Sequence, residues 1–113
     1  MEFELINLDD QCNLVRLSGR MDSSGVDGIE TRFIAALVAG DRNAVIDLSG
    51  VNFLASMGIR LFISNARAMN LKGRRIAVFG ATEPVQSVLE AVALDQIIPV
   101  MQTQQEAVKA LAG

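Results

Sequence analysis

Two short runs constrain the fold of this 113-residue chain more than anything else in it. Ala44-Val45-Ile46-Asp47-Leu48 is apolar on both faces until Asp47, and Ile76-Ala77-Val78-Phe79 is apolar throughout. A strand with one wet face alternates polar and apolar residues; a strand that does not alternate is covered on both sides. Such strands belong to sheets flanked by helices, and helical spacings lie around both runs. Ser24 reads as an N-cap with Asp27 three residues on, and Val26, Ile29, Phe33 and Leu37 then recur at helical intervals up to Gly40. A second helix fits Met57 to Leu71, with Ile59, Phe62, Ile63, Ala66 and Met69 on one face and Arg60, Ser64 and Arg67 on another. Thr82 caps a third helix that has Pro84 in its first turn and a stripe of Val85, Val88, Leu89 and Val92. Thr103-Gln104-Gln105-Glu106 is a capping box that opens a last helix through Leu111.

The chain begins differently. Glu2 to Leu8 starts by alternating, Asp9-Asp10-Gln11 reads as a turn, and Asn13 to Leu17 alternates again, which is the pattern of a hairpin at a sheet edge. Ser18 to Gly25 follows as a polar connection, and Ile97-Ile98-Pro99-Val100 reads as a short strand whose proline belongs at an edge. The order ββαβαβαβα predicts one α/β domain over residues 1–113. Its sheet is mostly parallel, joined by right-handed crossovers, with an antiparallel opening hairpin.

The absences narrow function. There is no histidine, so no Ser-His-Asp triad or imidazole proton shuttle, and one cysteine leaves no zinc or iron-sulfur ligand set. A net charge of −3 has the wrong sign for a nucleic-acid binder, and without Trp or Tyr there is no stacking platform. The longest apolar run, Phe33 to Gly40, is eight residues and far short of a membrane span. The acidic opening at Glu2 and Glu4 is unlike a secretory signal, and the lone Cys12 suits a reducing compartment, so the cytoplasm is expected. Neither Gly50 to Gly58 nor Ser18 to Gly25 has phosphate-loop spacing, so their glycines read as turn residues. Asp22, Asp27 and Asp47 as a magnesium cluster is the weaker reading, because helix-dipole complementarity and strand termination account for two of them. No enzyme, cofactor or metal is expected.

One segment stands apart. Asp47-Leu48-Ser49-Gly50-Val51-Asn52-Phe53-Leu54-Ala55-Ser56-Met57-Gly58-Ile59 joins an interior strand to an amphipathic helix, at the carboxyl edge where open α/β sheets meet ligands and partners. Ser56 is the N-cap or one residue from it. Capping alone accounts for a serine there, yet Gly58 in the first turn costs helix propensity and suggests a close approach by another surface.

The segment resembles the signature of STAS domains, D-L-S-x-V-x-F-L-x-S-x-G-[IL], and Leu17-Ser18-Gly19-Arg20-Met21-Asp22 resembles the family's L-x-G-x-[LM]-D. The resemblance covers nearly the whole chain and is nearest to free-standing bacterial anti-sigma-factor antagonists. It implies that Ser56 is phosphorylated by an anti-sigma factor that is also a serine kinase, that the unphosphorylated form binds that partner, and that a serine phosphatase restores binding. It implies a partner surface at Asp22, Ser49, Ala55, Ser56, Met57, Gly58 and Arg60, with no catalytic residue and a monomer or weak homodimer. Many phosphorylatable members have Asp before the serine and Ser or Thr after it, where this chain has Ala55 and Met57. The alternative is a non-phosphorylated STAS subunit of a larger assembly such as a lipid-transport system. Asp22 and the turn at Ser49 to Ser56 are expected to form one contiguous surface at the same end of the sheet.

Overall fold

Both non-alternating runs are interior strands. Ala44, Val45 and Ile46 and the whole of Ile76–Phe79 are buried in the computed structural model, which describes Met1 to Ala112. They lie in β3 (Asn43–Leu54) and β4 (Ile76–Phe79) of a five-stranded sheet, with β1 (Glu2–Asn7), β2 (Cys12–Met21) and β5 (Val100–Met101). The spatial order is β1-β2-β3-β4-β5. The first pair is antiparallel and the rest are parallel. Helices α1 (Ser23–Leu37), α2 (Ser56–Leu71) and α3 (Glu83–Ala91) pack on one face through Phe33, Phe62 and Leu89. The other face is covered only in part, by α4 (Gln104–Leu111), whose Ala107 and Leu111 meet Leu14, Val45, Ala77 and Phe79. Beyond α4 that face is wet: Glu4, Arg16 and Asp47 stand in register on three neighbouring strands, and Arg16 lies 3.7 Å from each carboxylate.

The elements follow the sequence reading with four corrections. First, β2 and β3 run further than their apolar cores. Ser18 to Met21 is strand and not connection, and Ser49 to Leu54 is strand and not turn. The two extensions pair with each other from Ser18↔Gly50 to Met21↔Leu54, after one register shift between Arg16 and Ser18 and through a second between Gly19 and Arg20. Gly50 permits this, since a Cβ there would sit 2.8 Å from Ser18 Cβ. Second, Asp22 and not Ser24 caps α1: its Oδ1 accepts from the Gly25 N–H at 2.8 Å, so the helix starts at Ser23. Third, Ile97 to Pro99 is not strand. A short 3₁₀ turn over Leu94–Gln96 tucks Leu94 and Ile98 into the core. Pairing with β4 begins where Pro99, which has no N–H to give, accepts from Val78 N–H at 3.0 Å. Fourth, α2 turns Leu61 and Asn65 inward and leaves Ile63 half-buried.

Two caps behave differently. Thr103 and Glu106 form the capping box at α4. Thr82 stands at the cap position of α3 without the side-chain bond, and its hydroxyl reaches the Val51 carbonyl at 3.4 Å instead.

Candidate functional site

The site is assembled where β2 and β3 end together. Ala55 donates its N–H to the Met21 carbonyl at 3.1 Å, which sets the start of α2 beside the start of α1. Ala55 occupies the cap position of α2 and has no side chain able to cap, while Ser56 is the first residue of the helix. Gly58 and Ile59 donate to the Ala55 carbonyl at 3.0 and 3.3 Å, so the first turn closes on backbone alone. The Ser56 side chain is exposed, and its hydroxyl has no hydrogen bond among the described residues. Thus Ser56 is one residue past the cap, and its hydroxyl carries no structural duty. Among the described residues no general base is hydrogen-bonded to it, and no group of three His, Cys, Asp or Glu could hold a metal. Its position at a helix N-terminus does favour negative charge on that oxygen.

An open apolar groove of about 420 Å³ borders the hydroxyl, with Phe53, Ile59, Val88 and Val92 as its apolar lining and Arg60 on its rim. Phe53 and Val92 are 38% and 47% exposed, so the groove presents apolar surface to solvent. Arg60 is exposed and makes no ion pair among the described residues. Met57 is half-buried and packs towards the main core. Asp22 lies at the same end, and its carboxyl is held below its ordinary pKa by the Gly25 N–H first and by Arg20 second.

Two expected site residues stand outside the exposed surface around Ser56. Ser49 is exposed in β3, with its N–H on Asp47 Oδ1 at 2.9 Å, and it lines a separate polar groove on the wet face with Glu2, Arg16 and Ser18. Gly58 is buried, and a Cβ there would lie 2.5 Å from Leu54 Cδ1 and 3.2 Å from Met21 Cε. The space it leaves is filled by the protein's own core, which corrects the expectation that it admits a partner surface. One residue was missed. Arg20 stacks on Phe53, its guanidinium carbon 4.2 Å from the ring centroid, and its Nε lies 3.4 Å from Asp22 Oδ2. The signal that would have found it is the Arg20↔Phe53 pairing, invisible while both residues were assigned to loops.

The fold and site define an α/β domain that presents a free hydroxyl and an apolar groove at one end of its sheet. The chain belongs to the STAS domain family, whose model matches residues 6–107. It is similar to an anti-sigma F factor antagonist of Paenibacillus polymyxa, 27% identical over 88 residues that span 77% of this chain and 75% of that one. Among solved structures it resembles an anti-sigma-factor antagonist (STAS) domain protein from Planctomyces limnophilus, at 25% identity, TM-score 0.83 and 97% coverage of both chains. It also shares its fold with the Bacillus cell fate determinant SpoIIAA in the phosphorylated form, at 19% identity and TM-score 0.72, covering 98% of this chain and all of that one. No helix among the described residues is long and apolar enough to cross a membrane.

Proposed function

We propose that residues 1–113 are one STAS domain acting as an anti-sigma-factor antagonist, a non-enzymatic protein of the cytoplasm switched by phosphorylation of Ser56. The observation that carries this reading is the exposed Ser56 hydroxyl, without a hydrogen bond among the described residues, beside the apolar groove of Phe53, Ile59, Val88 and Val92. In the unmodified form a partner packs on this end of the sheet, over Asp22, Ala55, Ser56, Met57 and Arg60. A kinase partner then transfers the γ-phosphoryl group of ATP to Ser56 Oγ; the hydroxyl proton leaves to the kinase's base and ADP departs. A serine phosphatase hydrolyses the phosphoester and restores the hydroxyl.

The physics fits each half of the cycle. A phosphoserine carries about −1.5 to −2 charges and is well placed in the first turn of a helix, so the domain stays folded. The same charge against an interface packed on a neutral hydroxyl is repelled and poorly solvated, so the partner leaves. Ala55, where an acidic residue would help mark the site for a kinase, favours a second reading, a constitutive STAS subunit of a larger complex such as a lipid-transport system. Incubation with ATP and an anti-sigma-factor serine kinase, followed by mass spectrometry, separates the two. Phosphate mapped to Ser56 supports the switch; an unmodified Ser56 after complete reaction of a control substrate supports the constitutive subunit.

A further inference from the structure

Arg20 is the one cation of the site engaged in contacts that do not maintain the fold. Its guanidinium lies on Phe53 and touches Asp22 Oδ2, while Asp22 caps α1 through the other oxygen, Oδ1. Withdrawing Arg20 therefore leaves the cap intact. Both contacts are exposed and individually weak. Phe53 in turn lines the groove that holds Ser56, and the backbone from Phe53 to Ala55 runs beside that from Arg20 to Asp22, tied by the Ala55 N–H to the Met21 carbonyl. Arg20 thus adjoins the Ser56 groove from β2 through Phe53, while Arg60, on α2, lines the groove itself. With Ala55 in place of an acid, no carboxylate precedes the serine to compete for either guanidinium.

We propose that Arg20 is a ligand for a phosphate on Ser56, and that in taking it up it leaves the Phe53 ring, so that phosphorylation changes the apolar groove as well as its charge. A dianionic phosphate holds a guanidinium more firmly than an exposed carboxylate and a phenyl ring do. The inference rests on Ser56 being the modified residue, and it assigns to that modification a second effect, exchange of the cation that covers Phe53.

The test needs neither kinase nor partner. Phosphoserine is placed at position 56 of the full chain during translation, and its second ionisation is followed by phosphorus NMR at low salt. The same titration is run in Arg20→Gln, Arg20→Lys and Arg60→Gln backgrounds. Arg20→Gln is expected to raise the phosphoserine pKa by about half a unit, and Arg20→Lys by less, because a nearby positive charge favours the dianion. Phosphorylation is also expected to shift the Phe53 ring resonances of the otherwise native chain towards those of unmodified Arg20→Gln, and to leave them nearly unmoved in Arg20→Gln itself. Identical titration curves for native Arg20 and Arg20→Gln overturn the proposal, as does a shift seen with Arg60→Gln alone. A kinase that ignores Ser56 would sink the regulatory cycle without altering these titrations. Equal titrations would remove Arg20 as ligand and leave the cycle standing.

Discussion

Among the described residues the Ser56 side chain has no hydrogen bond to lose, and that separates its stability from its function. Replacing a true N-cap serine with alanine costs about 1 kcal/mol, but Ser56 stands one residue beyond the cap. Ser56→Ala is therefore expected to unfold in urea within about 0.5 kcal/mol of the native chain and to keep its partner. Ser56→Asp gains a little from the helix N-terminus and is expected to bind the partner at least tenfold more weakly, about 1.4 kcal/mol. Equal affinity of all three proteins in one titration would leave the constitutive reading ahead. Asp22 acts in the opposite sense, through the fold. Its carboxyl is depressed by the Gly25 N–H and then by Arg20, so the stability it contributes is present above its unfolded pKa and is lost as pH falls through the folded one. Asp22→Ala is expected to lower the urea midpoint at pH 7, and the gap to the native chain should close below the ordinary carboxylate range. A gap that persists unchanged in acid would show that the charge plays no part in the cap.

At the scale of elements, the ends of β2 and β3 matter more than their middles. Their apolar centres build the core, but their polar extensions carry Arg20, Asp22, Phe53 and Ser56 to one place. The turn after α3 is less well suited to its sequence. Ala93 sits in the left-handed region at φ 52°, a conformation that glycine adopts without the clash of a Cβ. The residue is exposed, so its methyl group contributes little packing. Ala93→Gly is expected to stabilise the chain by about 0.5 kcal/mol, the steric relief exceeding the extra entropy of the unfolded glycine. Thermal melts of the two proteins would check it, and a lower melting temperature for the variant would refute it.

Taken as a whole molecule, the protein has two unequal cores divided by the sheet, a large one under α1, α2 and α3 and a small one under α4. Cys12 belongs to the small one. Burial first, and the neighbouring Asp9 second, push its thiol up to about 11, so it stays protonated at neutral pH. Alkylation by iodoacetamide at pH 8 is expected to be at least roughly a hundredfold slower in the native protein than in urea, since the thiolate is the reacting form. Native and unfolded rates that agree would mean that the small core opens readily. The site on the opposite half is indifferent to this thiol, and Cys12→Ser is expected to leave the Ser56 titrations unchanged.

The alternation of β1, the unbroken apolar runs of β3 and β4, the 3.6-residue stripes and the capping box at Thr103 are local patterns, and they determined the order of elements and the class of fold. The motif around Ser56 likewise placed the hydroxyl at a helix start, because that needs only a strand's end and a helix's beginning. What they could not decide was anything set by pairing between distant segments of polar sequence. Ser18 to Met21 and Ser49 to Leu54 have no strand period of their own; they are strands because each supplies the other's backbone hydrogen bonds. From that pairing come the contact of Arg20 with Phe53, the return of Ser49 to the wet face and the nearness of Asp22 to Ser56. Gly58 makes the same point: in the sequence it is a weak helix residue, and only the approach of Leu54 and Met21 in the folded chain requires it to have no side chain.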